Sequence, residues 1–186
     1  MNSLRAAVLK VRRAAPDVLD VQGSTLSLQP SVEIDLADLV DCAEQVVRND
    51  GCDAERAEQL LGSGDLLPGW YDDWVLFERE RLHHRRIRAL ESLALHELDH
   101  GHADLALAAA RDAVELEPLR ESARRLLIRS HVALGNRALA AGALAEYRRD
   151  LARDLGVEPS SEIMREVRDG SAEENAPSRG RLRRRR

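Results

Sequence analysis

Aromatic residues are scarce in this sequence. They make up 3% of the chain, so a hydrophobic core has to be built from leucine, alanine, valine and isoleucine. Hydrophobic residues of all kinds still account for 44% of the 186 residues, which is enough for one domain or for two small ones. Because alanine and leucine are strong helix formers, this composition predicts a mostly α-helical protein.

Long apolar runs and cysteines are also rare. No apolar run approaches the ~20 residues that span a bilayer, and the N-terminus has no apolar stretch ahead of a cleavage site. We therefore expect a cytoplasmic protein. Cys42 and Cys52 are the only cysteines, and two isolated thiols in that compartment predict inert side chains instead of a disulfide or a metal site.

The glycine and serine patterns of common enzymes are missing. The sequence contains neither G-x-x-x-x-G-K-[ST] nor G-x-G-x-x-G, the loops that cradle phosphates. It also has no G-x-S-x-G turn for a nucleophilic serine. We therefore expect no enzymatic activity and no cofactor.

One short pattern does point to chemistry. Residues 96–100, HELDH, match H-E-x-x-H, in which two histidines on one helix face bind zinc and the glutamate polarises a metal-bound water. However, Ala103 and Ala106 stand where an extended motif has a glycine and a third histidine. The helical wheel also turns His96 and His100 away from the apolar stripe. A solvated helix end is therefore favoured, and a zinc metallopeptidase is the remote alternative.

Charge is unevenly distributed along the chain. The formal net charge is −5, yet six arginines close the chain within residues 179–186. Residues 1–13 hold four basic residues and no acidic one. An acidic body thus carries a basic segment at each end. Such segments favour polyanions, although most charge runs are simply solvated, so nonspecific nucleic-acid binding by RGRLRRRR is a minor alternative.

Hydrophobic periodicity predicts the order of the elements. Residues 3–15 have a helical apolar face, and residues 18–21 and 25–28 flank Gly23-Ser24 as a hairpin would. Val32 and Ile34 suggest a third short extended piece. From Leu36 onward the pattern is helical, with a long helix from about Asp73 to Asp99 and a final turn or two at SSEIMREV.

The helical part contains an internal repeat. A shift of 34 residues pairs small or apolar residues with one another: Ala89 with Ala123, Leu93 with Leu127, Leu98 with Val132, Gly101 with Gly135, Ala106 with Ala140, and Ala109 with Ala143. This period is typical of tetratricopeptide helix–turn–helix units. It predicts a tetratricopeptide-like α-hairpin superhelix whose concave surface binds protein.

Several motifs resemble those of one family. LLPGWYDDWVLFERER, residues 66–81, resembles the start of the long helix in the bacterial transcriptional activator domain of SARP-type regulators. The resemblance continues in family order through RIRALESLA, EPLRESARRLLIRSHVALGN, YRRDLARDLGVEPS and EIMREV, and it covers about residues 36–167. It implies a bacterial transcription regulator whose helical domain contacts RNA polymerase or a second copy of itself.

Three of the few aromatic residues stand together in the first of these motifs. Trp70, Tyr71 and Trp74 lie within five positions of one another, next to the Pro68-Gly69 turn. We expect these side chains to form a core cluster that the next helix pair buries. The region around Trp74 is also where we expect partner proteins to be contacted.

Residues 1–35 fit the same family, in which the activator domain follows an OmpR-like winged-helix DNA-binding domain. SLRAAVLKVRR resembles its recognition helix, and the hairpin at 18–28 resembles its wing. This resemblance implies that promoter repeats are contacted by Asn2, Arg5, Leu9, Lys10, Arg12 and Arg13. In the family a sheet and two helices precede this helix. We therefore expect either that the winged helix is completed upstream of Met1, in which case promoter repeats are bound, or that residues 1–35 are a truncated winged-helix segment. The alternative is a stand-alone interaction module that has lost DNA binding.

Three regions follow from these interpretations. Residues 1–35 are expected to be the partial winged-helix segment, and residues 36–167 the helical activator domain. Residues 168–186 are polar and rich in arginine, and we expect them to be a disordered basic tail.

Overall fold

A computed structural model of the chain describes residues 2–48 and 64–172, together with Asp53, Ala57 and Leu61. The chain divides into two units between Asp38 and Leu39. Within the described ranges, no helix combines the length and the apolar character that a membrane span requires.

The first unit contains a helix and a two-stranded hairpin, as the periodicity predicts. Helix α1 spans Asn2–Ala14, and strands β1 (Leu19–Gln22) and β2 (Thr25–Leu28) pair antiparallel. Gly23 forms the turn with a φ of +63°, in the left-handed region that glycine adopts without steric cost.

The third extended piece predicted at Val32 and Ile34 is absent from this unit, which is fully described from residue 2 onward. The amide of Val32 donates to the carbonyl of Gln29 in a turn. The carbonyl of Ile34 accepts hydrogen bonds from the amides of Ala37 and Asp38, at 3.0 and 3.2 Å. Val32 therefore closes a turn and Ile34 starts a helix, so neither residue belongs to a strand of this unit, and that prediction is wrong.

The remaining elements are helical. In chain order they are α2 (Asp35–Arg48), α3 (Asp73–Asp99), α4 (Ala103–Leu116), α5 (Glu121–Ala133), α6 (Arg137–Asp154) and α7 (Ser161–Ala172). The predicted bounds of the long helix are confirmed by α3. Between α2 and α3, Ala57 and Leu61 are helical and buried, as the helical pattern from Leu36 onward predicts. Apart from these two residues and Asp53, residues 49–63 lie outside the described residues. Cys42 is buried in α2, and Cys52 also lies outside the described residues.

Helix α7 continues to Ala172, past residue 168, where the sequence predicts that disorder begins. Its first turns pack against α5 and α6. Residues 173–186 lie outside the described residues.

The corners of the two helical hairpins are equivalent, as the 34-residue period predicts. Gly101 ends α3 with a φ of +82°, and Gly135 ends α5 with a φ of +74°. At the first corner the amide of His102 donates to Glu97 O at 2.9 Å, and at the second the amide of Asn136 donates to His131 O at 2.8 Å. Both corners thus use a left-handed glycine to satisfy carbonyls at the end of a helix.

Small side chains fill the interfaces between these helices. Alanines at the contacts of α3, α4 and α5 have no exposed surface: Ala89, Ala94, Ala106, Ala109, Ala110, Ala113 and Ala123. Leucines such as Leu90 and Leu93 complete the larger of two hydrophobic clusters, and Tyr147, Ile128 and Ile163 anchor the smaller one between α5, α6 and α7. The mostly α-helical fold class is therefore confirmed.

A buried arginine ties α5 to α6. Arg124 is 5% exposed. Its guanidinium donates to the carbonyl of Pro118 and to the carboxylate of Asp150, at 3.0 and 3.3 Å, and it lies over the ring of Tyr147. The Tyr147 hydroxyl donates to the carbonyl of Leu119, and burial raises the pKa of this hydroxyl. These contacts place EPLRESARR and YRRDL, two of the motifs identified in the sequence, in one polar network.

The corner glycines lead to a prediction about stability. Gly135→Ala should lower the free energy of unfolding by ~1 kcal/mol, because alanine is strained at a positive φ. Gly142, inside α6, is the matched control, since a Cβ there meets nothing within 4 Å. Gly142→Ala should raise stability by ~0.5–1 kcal/mol through helix propensity. Urea denaturation measures both, and a stabilising Gly135→Ala would contradict the corner geometry.

Candidate protein-interaction surface

The segment before α3 is shaped by a tight turn. The amide of Trp70 donates to the carbonyl of Leu67 at 3.1 Å, across Pro68-Gly69. Gly69 has a φ of +82° and Leu67 a φ of +48°. Among the described residues, Leu67 is the one non-glycine residue with a positive φ. This conformation costs ~1–2 kcal/mol, so the surrounding structure must stabilise it.

Two arginines of α3 hold this segment. Arg79 donates from Nε to the carbonyl of Leu66 at 2.7 Å and from Nη2 to that of Leu67 at 2.5 Å. Arg86 donates from Nε to the carbonyl of Leu61 at 2.6 Å and from Nη1 to that of Gly64 at 3.3 Å. Because the two arginines are seven residues apart on one helix face, they fasten the segment to α3 at two levels.

Arg86 is the deeper of the two arginines, with 5% of its surface exposed. Burial lowers its pKa, while the nearby carboxylates of Asp65 and Asp112 act in the opposite direction. A buried guanidinium that hydrogen-bonds backbone carbonyls is costly to disturb, so the start of α3 has a defined position relative to the core.

Four aromatic side chains project into solvent from this segment and from the first turns of α3. Trp70, Tyr71, Trp74 and Phe77 are 53%, 78%, 55% and 72% exposed, and we call these four residues the aromatic surface. The prediction that Trp70, Tyr71 and Trp74 form a buried core cluster is therefore wrong. Phe77 belongs to the same surface but was not identified from the sequence, although its position three residues after Trp74 places it on a neighbouring part of the same helix face.

Helix geometry explains why the aromatic residues are outside. Val75 and Leu82, seven residues apart, occupy the inward face of α3 and are 0% and 7% exposed. Trp74 and Phe77 are rotated away from Val75 by ~100° and ~160° about the helix axis. The two aromatic side chains therefore point away from the core that Val75 enters.

The lengths of the neighbouring helices give the second reason. Helix α3 has 27 residues, whereas α4 has 14 and α5 has 13. Since α4 starts at the corner that ends α3, it can cover only the half of α3 nearest that corner. The first turns of α3, which carry Trp74 and Phe77, extend beyond both partners.

The rim of the aromatic surface is acidic. Asp65, Asp72 and Asp73 are exposed. The carboxylate of Asp65 acts on Arg86, whereas Asp72 and Asp73 form no ion pair with another residue of the described ranges. Glu78 pairs with Arg81 at 2.7 Å, and Glu80 lies 3.0 Å from His84. Among residues 64–80 the only basic residue is Arg79, whose guanidinium is already bound to backbone carbonyls.

The basic residues of α1 are exposed as well. Arg5, Leu9, Lys10, Arg12 and Arg13 all face solvent, and Asn2 is the first residue of the helix. Within the described part of the chain, none of these four cations forms an ion pair. On the apolar side of α1, Leu4 is 64% and Val11 39% exposed.

The HELDH segment forms the first hairpin corner. The rings of His96 and His100 are 4.0 Å apart between centroids, so they share a helix face as predicted. Glu97 is buried and its carboxylate lies 2.8 Å from Nδ1 of His102, which ties the end of α3 to the start of α4. Among the described residues, no third metal-binding side chain lies with the two histidines. Glu97 therefore has a structural role, because it stabilises the corner between α3 and α4.

Comparison with known proteins identifies one family. The family model described as bacterial transcriptional activator domain matches residues 48–169. This range includes the aromatic surface, both hairpin corners and the network around Arg124. No curated protein matches the chain.

Shortening a side chain at the start of α3 should affect the free energy of unfolding on the inward face but not on the outward face. Val75→Ala should lower the free energy of unfolding by ~2 kcal/mol, because it removes buried methyl groups. Phe77→Ala should change it by less than ~0.5 kcal/mol, because its ring is mostly solvated. Urea denaturation of both variants is the measurement. Equal losses would mean that Phe77 is buried.

Proposed function

Because the chain belongs to the bacterial transcriptional activator domain family, we propose that it regulates transcription by docking a protein partner on the aromatic surface. The family is regulatory and non-enzymatic, and its matched range covers residues 48–169. The partner is RNA polymerase or a second copy of the chain. We also propose that the protein acts in the cytoplasm.

The observation that carries this proposal is the exposure of four aromatic side chains on a fixed support. Tryptophan and tyrosine dominate the energetics of protein interfaces, since they bury a large area at low entropic cost. Contiguous exposed apolar patches on proteins generally mark interaction sites. Arg79 and Arg86 hold the backbone beneath this surface, so a partner would meet aromatic side chains on a preorganised segment.

The second part of the proposal is that α1 contacts DNA. Its exposed arginines and lysine lie on one helix together with Leu9. Arginine can bind guanine edges or phosphates, and leucine can contact a thymine methyl group. The β1–β2 hairpin that follows would then serve as the wing of a winged-helix segment.

A second candidate function is a protein-interaction module that does not bind DNA. It is favoured by one observation: Leu4 and Val11, on the apolar side of α1, are exposed within the described structure. A helix that presents cations to DNA is normally held by apolar contacts on its other side. In this candidate, the module would pair with related regulators and oppose them.

A transcription assay tests the docking surface independently of DNA binding by α1. The chain is fused to an unrelated DNA-binding domain that brings it to a reporter promoter. Trp74→Ala with Phe77→Ala should reduce activation about tenfold, as expected for the loss of central interface aromatics. The control is Leu139→Ala, on α6, where the leucine is 55% exposed. Unchanged activation by the aromatic variant, or an equal loss in the control, would contradict the proposal.

A mobility-shift assay distinguishes the two candidate functions. DNA fragments are selected by the chain from a random pool, and binding is measured over a range of salt concentrations. Arg5→Ala with Arg12→Ala should weaken binding and reduce the salt slope by about 1 for each phosphate that the variant no longer binds. Arg165→Ala, in α7, is the matched control. If the unaltered chain selects no fragment, the interaction module is the correct function.

A further inference from the structure

We propose that the aromatic surface binds the arginine-rich C-terminal segment, residues 179–186, of a second copy of the chain. This inference rests on the proposed function of that surface as a docking site, and it names the occupant. Four observations support it: the chemistry of the surface, the chemistry of the segment, the lack of a competing cation among the described residues, and the distance between the two within one copy.

The surface has the composition that an arginine-rich segment requires. Arginine stacks its planar guanidinium on the faces of tryptophan, tyrosine and phenylalanine while its N–H groups remain able to bind carboxylates. The aromatic surface supplies four exposed rings. Asp72 and Asp73 supply carboxylates at its edge that are not engaged in ion pairs with described residues.

The C-terminal segment is the most basic part of the chain. Six of residues 179–186 are arginines, and Leu182 is the apolar residue among them. The rest of the chain carries a surplus of acidic residues, because the net charge of the whole is −5 even with this segment included. The segment and the surface are therefore complementary in charge, which favours their encounter.

No cation of the described chain already occupies the aromatic rings. Arg79 is bound to backbone carbonyls, and Arg81 is paired with Glu78. The one cation–π contact within the described ranges joins Arg124 to Tyr147, in the core. The faces of Trp70, Tyr71, Trp74 and Phe77 are thus open to a cation from elsewhere.

The direction of the helices places Ala172, the last described residue, far from the aromatic surface of its own copy. The amide of Ser160 donates to Glu121 at 3.1 Å, and Arg125 pairs with Glu162 at 2.8 Å, so α7 starts beside the start of α5 and runs in the same direction. Ala172 therefore lies toward the corner end of the hairpins. The aromatic surface lies at the opposite end of α3, whose 27 residues are ~40 Å long.

This distance favours a second copy as the source of the segment. Residues 173–186 span at most ~50 Å when fully extended. In its own copy, only the last arginines would reach the rings, and only with the chain stretched over the length of α3 and across α5. A second copy has no such restriction, so two molecules can exchange their C-terminal segments.

A peptide titration tests the contact directly. The receptor is the full chain with its six C-terminal arginines changed to glutamine (R179Q, R181Q, R183Q, R184Q, R185Q and R186Q), so that its own segment does not compete. The probe is a synthetic peptide of residues 173–186. Trp70 and Trp74 are the only tryptophans in the chain, so tryptophan emission reports on the aromatic surface alone. We expect a saturable change in emission.

Variants of the receptor give the specificity of the contact. Asp73→Asn with Phe77→Ala should weaken peptide binding about tenfold while keeping both tryptophans. Tyr71→Ala, at a side chain 78% exposed, is an independent second variant and should also weaken it. The matched control is Asp104→Asn with Leu139→Ala, which removes an exposed carboxylate and an exposed apolar side chain elsewhere. Equal weakening in the control, or no change in emission with the unaltered receptor, would overturn the proposal.

Light scattering of the full chain tests the exchange between copies. We expect association that rises with protein concentration and disappears both in the C-terminal glutamine variant and in Asp73→Asn with Phe77→Ala. Association that persists in the glutamine variant would overturn the inference. If the aromatic variant loses transcriptional activation but peptide binding is absent from the unaltered surface, a different partner occupies it. The inference then fails while the proposed function stands.

Discussion

Close approach between neighbouring helices is the constraint on which the rest of this structure depends. Alanines without exposed surface, among them Ala89, Ala109 and Ala123, line the contacts of α3, α4 and α5, where larger side chains would separate the backbones. Such contacts require the chain to reverse within a few residues. Gly101 and Gly135 make this possible, because each adopts a left-handed conformation that closes the helix end and returns the chain along its partner.

Helix length decides what this packing leaves uncovered. The two helices that pack on α3 are about half as long as α3. Helix α4 begins at the Gly101 corner and α5 ends at the Gly135 corner, so the first turns of α3 extend past both. Val75 and Leu82 still bury the inward face of these turns, and Arg79 and Arg86 bind the preceding segment to them. The extended turns are therefore supported on one side and exposed on the other, which is the arrangement a docking surface needs.

Much of the fold was predictable because its signals are local. The bounds of α3, the hairpin around Gly23 and the two equivalent corners follow from hydrophobic period and glycine position. The candidate site was only partly predictable. Trp70, Tyr71 and Trp74 form a cluster in the sequence, but large aromatic side chains are buried so often that their composition favours the core. The sequence does not identify Phe77 as part of the aromatic surface, because its exposure depends on how α3 is rotated about its axis when Val75 faces the core.

The helices of this protein and the exposure of their side chains are therefore determined at different levels. The sequence by itself determined where helices begin, end and repeat, since propensity, periodicity and backbone conformation act over a few residues. Only the tertiary structure decided which apolar surfaces are covered. Burial of Trp74 or Phe77 depends on whether a neighbouring helix is long enough to reach it. Burial of Leu4 depends on what packs against α1. These are properties of distant segments, so no local pattern around an aromatic residue specifies them.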